Sequence, residues 1–225
     1  MNVTLALAQA TARLTEAGIA EAAWDAERLL RHVTGWDRAT VLLRGSETLA
    51  LEAQTAFFEL VAERARRRPL QHLTETQAFW RHEFRVTPDV LIPRPETELL
   101  VEASLQALAG TARPVIVDVG TGSGCVALSL AAERPDSIVH AIDISPAALA
   151  VARENARRLG LDDRVSFHQG DFLTPAPVAP GTAHLIVSNP PYGDLAEIPR
   201  LAPEVRDHEP RQALVPPDDR YGAYR

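Results

Sequence analysis

The stretch Val115-Ile-Val-Asp-Val-Gly-Thr-Gly-Ser-Gly-Cys125 decides the fold of this chain. Its first five residues, Val115 to Val119, form an apolar run that predicts a buried strand of a parallel sheet. The glycines that follow predict a tight turn, and a helix is expected from Cys125. Such a turn lets a ligand approach the backbone at a helix N-terminus, where negative charge is favoured.

The spacing of these glycines, G-x-G-x-G, narrows the choice of ligand. Dinucleotide-binding turns place the third glycine one residue later, at the position that Cys125 takes here. The turn therefore favours S-adenosylmethionine over NAD or FAD as the cofactor. A glycine turn alone is weak evidence, because any doubly wound fold can use one to connect a strand to a helix.

Three further apolar runs extend the pattern of strand and helix. They predict strands over 138–144, 165–169 and 185–188. After the first of these, Ser145 and Pro146 are typical of a helix start. The alternation predicts an α/β fold with a Rossmann-like, doubly wound parallel sheet.

Acidic and aromatic residues follow the second and third strands. Asp143 stands where an acidic side chain reaches ribose hydroxyls, although a helix-initiating aspartate is the plainer alternative. Asp171 and Phe172 could hold an adenine ring by a hydrogen bond and by packing, whereas Gly-Asp-Phe alone could be a simple turn. The predicted cofactor-binding residues are Asp118, Gly120, Thr121, Gly122, Gly124, Asp143, Asp171, Phe172 and Asn189.

The fourth strand ends in Asn189, Pro190, Pro191 and Tyr192. A residue before proline avoids the helical region, so the chain leaves this strand stiff and extended. Pro190 has no N–H, and the turn therefore presents carbonyl oxygens and one amide side chain. A rigid turn rich in acceptors, followed by an aromatic ring, suits a planar –NH2 group. A proline-rich turn with a packed tyrosine is the alternative.

The first third of the chain is predicted to be helical and to form a small all-α bundle, because its apolar residues recur at helical spacing. The basic run at 64–68 is predicted to be the solvated C-terminus of a helix. Residues 69–95 are interpreted as a β-hairpin linker and an extended crossing. The predicted domains are therefore a helical domain over 1–68, the linker over 69–95 and the sheet domain over 96–225.

Composition limits the class of protein. The chain has 225 residues, 46% of them hydrophobic, which is enough for a sizeable core. Its net charge of −7 argues against a nucleic-acid binder, and its single cysteine, Cys125, fits a reducing cytoplasm. No signal peptide, membrane span or metal-ligand spacing is recognised.

Several of these motifs together resemble the protein-glutamine N5-methyltransferases, and within them the HemK/PrmC type that acts on peptide chain release factors. The motifs are LIPRPETE at 91–98, DVGTGSG at 118–124, NPPY at 189–192 and the segment 209–214. NPPY alone is shared with DNA adenine and other amino-methyltransferases. The combination of PRPETE with NPPY is far more specific.

This resemblance implies a methyltransferase that uses S-adenosylmethionine and modifies the glutamine of the GGQ loop in class-one peptide chain release factors. The helical domain would engage the factor. Asn189 and the Pro190 carbonyl would hold the two amide hydrogens, and Tyr192 would pack against the glutamine. The predicted catalytic residues are Asn189, Pro190 and Tyr192, and substrate binding adds Pro191, Arg94 and Glu96. The expected protein is a cytoplasmic monomer with no direct nucleic-acid or membrane partner.

The chain departs from the family pattern in two places. Leu73, Thr74 and Glu75 stand where the family commonly has a run that ends in glycine, and Glu tolerates a positive φ poorly. Residues 215–221 replace the usual GGxDGL run, so the last strands of the sheet are expected to be missing and one sheet edge exposed.

Three alternatives stay open. A nucleic-acid amino-methyltransferase could flip an adenine or guanine into the same turn. A ribosomal-protein glutamine methyltransferase shares the core motifs. A non-catalytic binding module could keep the fold without the activity.

Overall fold

The computed structural model describes residues 1–216, which divide into two compact units. The first unit contains Met1–Glu75 and Ala202–His208, and the second contains Thr76–Leu201 and the described residues from Glu209 to Pro216. These bounds differ from the predicted ones at 68 and 95, since the helix after Pro69 belongs with the first unit and the hairpin with the second. Most of the departing segment 215–221 lies outside the described residues.

The first unit is a helical bundle. Side-chain caps begin two of its helices: Asn2 accepts a hydrogen bond from the backbone of Leu5, and Asp37 accepts one from Thr40. Its fully buried residues include Leu14, Leu29 and Phe57, which lie on the predicted apolar faces. The helices are α1 (Val3–Glu16), α2 (Ala22–Thr34), α3 (Arg38–Leu43), α4 (Leu51–Ala65), α5 (Leu70–Thr74) and, from the later segment, α9 (Pro203–His208).

Arg64, in the basic run, is buried, so the prediction of a solvated helix end is wrong at this residue. Its Nε donates to Asp25 at 2.7 Å, and its NH1 donates to Glu204 at 2.9 Å. Glu204 also accepts a 2.8 Å hydrogen bond from Arg67. Helical periodicity could not reveal this cluster, because Glu204 lies 140 residues further along the chain.

Glu75 ends α5 in the left-handed conformation, with φ at 56°. The turn into the second unit therefore has the positive φ for which glycine is the usual residue, with a glutamate in its place. The hairpin follows directly as β1 (Thr76–Phe79) and β2 (His82–Arg85), which pair antiparallel. The predicted hairpin is thus present.

A four-stranded parallel sheet forms the core of the second unit. Its order is β5-β4-β3-β6. The strands β4 and β5 lie on one side of β3 and β6 lies on the other, so the strand order switches between β3 and β6. Ligands of open α/β sheets bind at such a switch point, outside the carboxyl ends of the strands. The strands are β3 (Val115–Val119), β4 (Ile138–Asp143), β5 (Val165–Gln169) and β6 (Leu185–Ser188).

The helices of this unit begin and end largely where the sequence predicts. Ser145 caps the helix that starts at Pro146, and Gly160 ends it with φ at 67°. The helices are α6 (Glu98–Ala107), α7 (Cys125–Glu133), α8 (Pro146–Leu159) and α10 (Arg211–Leu214), and 3₁₀ turns cover Pro95–Thr97 and Ile198–Arg200. Across residues 1–216, no helix is both long enough and apolar enough to cross a membrane.

Candidate active site

The glycine turn after β3 is fixed to the neighbouring strand by its backbone. The N–H groups of Gly120 and Thr121 both donate to the carbonyl of Ile142, each at 2.9 Å. Gly120 and Gly122 have positive φ, and a Cβ at either position would meet no atom within 4 Å. The turn thus exposes its backbone to open space, as the approach of a ligand requires.

The buried side chain of Asp118 binds both to this turn and to the helix that follows it. Its carboxylate accepts a 2.6 Å hydrogen bond from the Thr121 hydroxyl and a 3.2 Å bond from the backbone of Ala127. Burial raises the pKa of Asp118 to about 6, and the nearby charge of Asp143 acts in the same direction. Asp118 and Thr121 therefore shape the turn through contacts with each other.

Asp143 connects the end of β4 to the glycine turn. One carboxylate oxygen accepts from the backbone of Gly122 at 2.8 Å, and the other accepts from Ser145 at 2.9 Å. A carboxylate has about four lone-pair sites, so Asp143 keeps capacity for two ligand hydroxyls. Asp143 also helps to start α8 through Ser145, as the plainer alternative predicts.

Gly124 has a different role from the first two glycines. Its Cβ would lie 3.0 Å from Leu128 and 3.2 Å from Ala152, so this glycine allows the start of α7 to approach α8 closely. Asn155 of α8 is buried, and its side-chain nitrogen donates to the carbonyl of Ser123 at 2.9 Å. The glycine turn is therefore held from α8 as well as from the sheet.

Asp171 and Phe172 follow β5 in a tight turn. The backbone N–H of Gly170 donates to the carbonyl of Asp143 at 3.1 Å, which brings this turn beside the end of β4. Phe172 has φ at 50° and is 40% exposed. An exposed ring of this kind offers a flat apolar surface on which an aromatic base could pack.

The proline turn after β6 is anchored at both ends. The Ser188 hydroxyl donates to the Val119 carbonyl at 2.8 Å, and the N–H of Gly193 donates to Leu214 at 2.9 Å. The side-chain nitrogen of Asn189 donates to the hydroxyl of Thr97 at 3.3 Å. Tyr192 is 64% exposed.

Arg94 and Glu209 form a close ion pair beside the proline turn. The guanidinium donates to Glu209 at 2.6 Å, and the glutamate side chain is almost fully buried. Burial raises the pKa of Glu209, while the charge of Arg94 opposes that rise. Glu96, two residues from Arg94, is exposed.

One cavity of about 340 Å³ brings most of these residues together. It lies in the second unit, over the carboxyl ends of the strands. Of the predicted site residues, Gly124, Glu96 and Tyr192 do not line it. Those that do are Arg94, Asp118, Gly120, Thr121, Gly122, Asp143, Asp171, Phe172, Asn189, Pro190 and Pro191.

Thr97, Glu209 and Gly193 have contacts in this site that the sequence reasoning did not assign. Thr97 and Glu209 belong to motifs that had been recognised, but their partners are 92 and 115 residues away. Gly193 follows NPPY directly, and its Cβ would lie 2.6 Å from the carbonyl of Leu214. The glycine at position 193 is the one local feature of the sequence that could have indicated this close approach.

Two family models match parts of this chain. The PrmC N-terminal domain matches residues 6–74, and a methyltransferase domain matches residues 112–215. The methyltransferase domain of a solved structure described as delta-N METTL16 is 20% identical, with a TM-score of 0.44 over 51% of this chain and 56% of that one.

Similarity over the whole of this chain is found among curated relatives. The release factor glutamine methyltransferase of Cereibacter sphaeroides is 45% identical, across 100% of this chain and 78% of the relative. The protein of the same name from Moorella thermoacetica is 46% identical with the same coverage. The chain therefore belongs to the release factor glutamine methyltransferase family.

Proposed function

We propose that this chain transfers a methyl group from S-adenosylmethionine to the side-chain amide nitrogen of the GGQ glutamine in class-one peptide chain release factors. The observation that carries the proposal is the shared cavity, in which the glycine turn and the Asn189-Pro190 turn both open. The turn that we assign to the cofactor and the turn that we assign to the substrate carboxamide thus line one cavity. Family membership supports the same substrate class.

The residues of the cavity fit S-adenosylmethionine. Gly120 and Gly122 leave open space above their backbone, and both glycines line the cavity. We assign Asp143 to the ribose hydroxyls, and Asp171 with Phe172 to the adenine. When bound, the cofactor supplies an electrophilic methyl group on a sulfonium ion.

The chain's own contribution is to orient a poor nucleophile. The lone pair of an amide nitrogen is delocalised into its carbonyl, so the nitrogen must be held in line with the methyl–sulfur bond. Oδ1 of Asn189 and the carbonyl of Pro190 would each accept one N–H of the substrate amide. Positioning of this kind can lower a barrier by about 7–11 kcal/mol in the best intramolecular cases.

The same two acceptors stabilise the charge that develops on the nitrogen. With the cofactor bound, the nitrogen–carbon bond would form as the electron pair of the carbon–sulfur bond leaves with the sulfur. The nitrogen would then lose one of its protons to solvent water. Oxygens already aimed at that nitrogen need no reorganisation during transfer, which is the usual advantage of a preorganised site.

Three further residues are assigned to the protein substrate. Tyr192 is exposed beside the cavity and would pack on the glutamine side chain. Arg94 lines the cavity, whereas Glu96 is exposed outside it, where a bound factor could reach it. We further propose that the protein acts as a cytoplasmic monomer on a protein substrate, without direct nucleic-acid binding.

The test offers labelled S-adenosylmethionine together with one acceptor at a time. The acceptors are a wild-type release factor, the same factor with its GGQ glutamine replaced by alanine, ribosomal proteins, DNA and RNA. We expect label in the wild-type factor alone. Equal labelling of the two factors would reject the glutamine as acceptor, and stronger labelling of a ribosomal protein or nucleic acid would assign the site to that substrate.

A further inference from the structure

We propose that Thr97 is a positioning residue that sets the amide orientation of Asn189, an inference that rests on the proposed function. Thr97 belongs to the PRPETE segment and Asn189 to NPPY, 92 residues further along the chain. Both side chains line the same cavity. Their hydrogen bond joins the two sequence motifs in one structural unit.

The direction of this hydrogen bond determines what Asn189 offers to a substrate. The side-chain nitrogen of Asn189 faces Thr97 and donates to its hydroxyl oxygen at 3.3 Å. An asparagine amide has two donor hydrogens on one side and an acceptor oxygen on the other. With the nitrogen committed to Thr97, Oδ1 is the group left for a ligand.

The opposite orientation would not bind a substrate amide. Rotation of the Asn189 amide by half a turn would aim its N–H groups at the N–H groups of a glutamine. Two donors facing each other leave both without an acceptor, which is unfavourable for buried polar groups. The reaction therefore needs one of the two orientations, although the two have almost the same shape.

The backbone near Asn189 is restrained, so the torsion angles of the Asn189 side chain are the main conformational freedom that this residue keeps. Ser188 is fixed to Val119 through its hydroxyl at 2.8 Å. Asn189 and Pro190 each precede a proline, which restricts both to extended conformations. A contact on the amide itself is consequently the simplest way to select its orientation.

Thr97 is itself well anchored. It ends the 3₁₀ turn Pro95–Thr97, and its N–H donates to the carbonyl of Arg94 at 3.0 Å. Arg94 binds the buried Glu209 on one side of this turn, and Glu98 accepts from the backbone of Trp80 at 2.8 Å on the other. A branched side chain with restricted χ1, on a turn held from both sides, keeps its hydroxyl oxygen at a fixed position beside the Asn189 amide.

The first experiment compares Thr97→Val, which removes the hydroxyl, with Thr97→Ser, which keeps it. For Thr97→Val we expect kcat on the release factor to fall about 10- to 100-fold, as small misplacements of reacting groups do. The KM for S-adenosylmethionine should stay unchanged, and Thr97→Ser should restore most of kcat. Thr182→Val, which removes a hydroxyl bonded to a carbonyl outside the cavity, is the matched control.

The second experiment repeats Thr97→Val in an Asn189→Asp background. A carboxylate presents an oxygen to the cavity in either orientation, so loss of the Thr97 hydroxyl should cost much less there than beside asparagine. An equal fold-loss in both backgrounds would overturn the proposal. So would a Thr97→Val enzyme with normal kcat, or a serine variant as impaired as the valine variant.

A third measurement needs no substrate and so separates this inference from the proposed function. The side-chain amide protons of Asn189 can be followed by NMR during exchange with solvent. Loss of one hydrogen bond should speed their exchange about two- to tenfold in Thr97→Val but not in Thr97→Ser. Unchanged exchange in the valine variant would overturn the orientation, whereas failure of the wild-type enzyme to methylate a factor would overturn the function alone.

Discussion

Asn189 carries the chemistry at the scale of a single residue. Replacement of Asn189 by alanine removes one of the two acceptors for the substrate amide and leaves the glycine turn intact. We expect kcat on the release factor to fall about 10²–10³-fold, the usual loss when one preorganised hydrogen-bonding group is removed. Steady-state kinetics would measure this, with calorimetry for S-adenosylmethionine binding.

The calorimetry serves as the control for that variant. Asn189 is also one of several predicted cofactor contacts, but Asp143, Asp171 and the glycines are untouched. Binding of the cofactor should therefore weaken by no more than a few-fold. Near-normal turnover in a folded Asn189→Ala protein would show that the amide of Asn189 does not orient the acceptor nitrogen.

Asp118 makes a second prediction at this scale, on stability against pH. Its pKa is 3.8 before folding and about 6 after it, because burial disfavours the charged carboxylate. Between these values the folded state binds more protons than the unfolded state, so stability should fall as pH rises from 3.8 to about 6. The change is on the order of 2–3 kcal/mol, at 1.36 kcal/mol per pKa unit.

Urea unfolding of wild type and Asp118→Asn across this pH range isolates the contribution of the Asp118 carboxyl to the pH dependence of stability. The asparagine variant lacks the titrating group, so the difference in unfolding free energy between the two proteins should change across the window and level off above it. A constant difference, or one that moves in wild type's favour as pH rises, would contradict the assignment.

At the scale of elements, the contact between α7 and α8 depends on Gly124. Gly124 and Gly110 have nearly the same φ, 82° and 81°, so alanine causes the same backbone strain at both. An added Cβ at Gly110 would meet nothing within 4 Å, whereas at Gly124 it would meet Leu128 and Ala152 at 3.0 and 3.2 Å. We expect Gly124→Ala to lose about 1–3 kcal/mol more stability than Gly110→Ala, the usual cost of overpacking.

Chemical denaturation of the two variants in parallel measures this difference. Equal losses would show that Gly124 is needed only for its backbone conformation. The comparison also distinguishes the third glycine of the turn from the first two, which face open space and not a helix.

The elements themselves were largely predictable from sequence, and the reason is local. Ser145, Pro146 and Gly160 specify the ends of α8 through contacts within a few residues, and the four apolar runs specify the strands. Asp143 was correctly placed at a strand end for the same reason. The hydrogen bond from Asn189 to Thr97 was not predictable, since it depends on how two distant turns meet.

Contacts between distant parts of the chain were also not predictable at the scale of the whole molecule. Arg64 has the surroundings of a solvated helix end in sequence, yet it is buried against Asp25 and Glu204. The segment Ala202–His208 lies far along the chain but belongs to the helical unit. A charge pattern on one helix contains no information about a carboxylate supplied by such a segment.

Glu204 therefore makes a prediction about the stability of the helical unit. Arg64 and Arg67 both donate to its carboxylate, at 2.9 and 2.8 Å. Glu204→Gln keeps the size of the side chain but turns an N–H group toward a guanidinium and removes the charge. We expect a loss of about 1.5–3 kcal/mol, as for hydrogen bonds to charged groups, measured by urea unfolding at neutral pH.

The pH dependence of this loss identifies its origin. Burial raises the pKa of Glu204, but the hydrogen bonds from Arg67 and Arg64 outweigh it and hold the pKa below 4.5. The contribution of Glu204 should thus be complete above pH 4.5 and disappear as pH falls further. Asp207→Asn on the same helix is the control, because its partner Arg206 lies beside it on the surface and exposed pairs contribute little. If both variants lost the same stability, or if the Glu204→Gln loss persisted unchanged in acid, the buried cluster would not hold this distant segment in the helical unit.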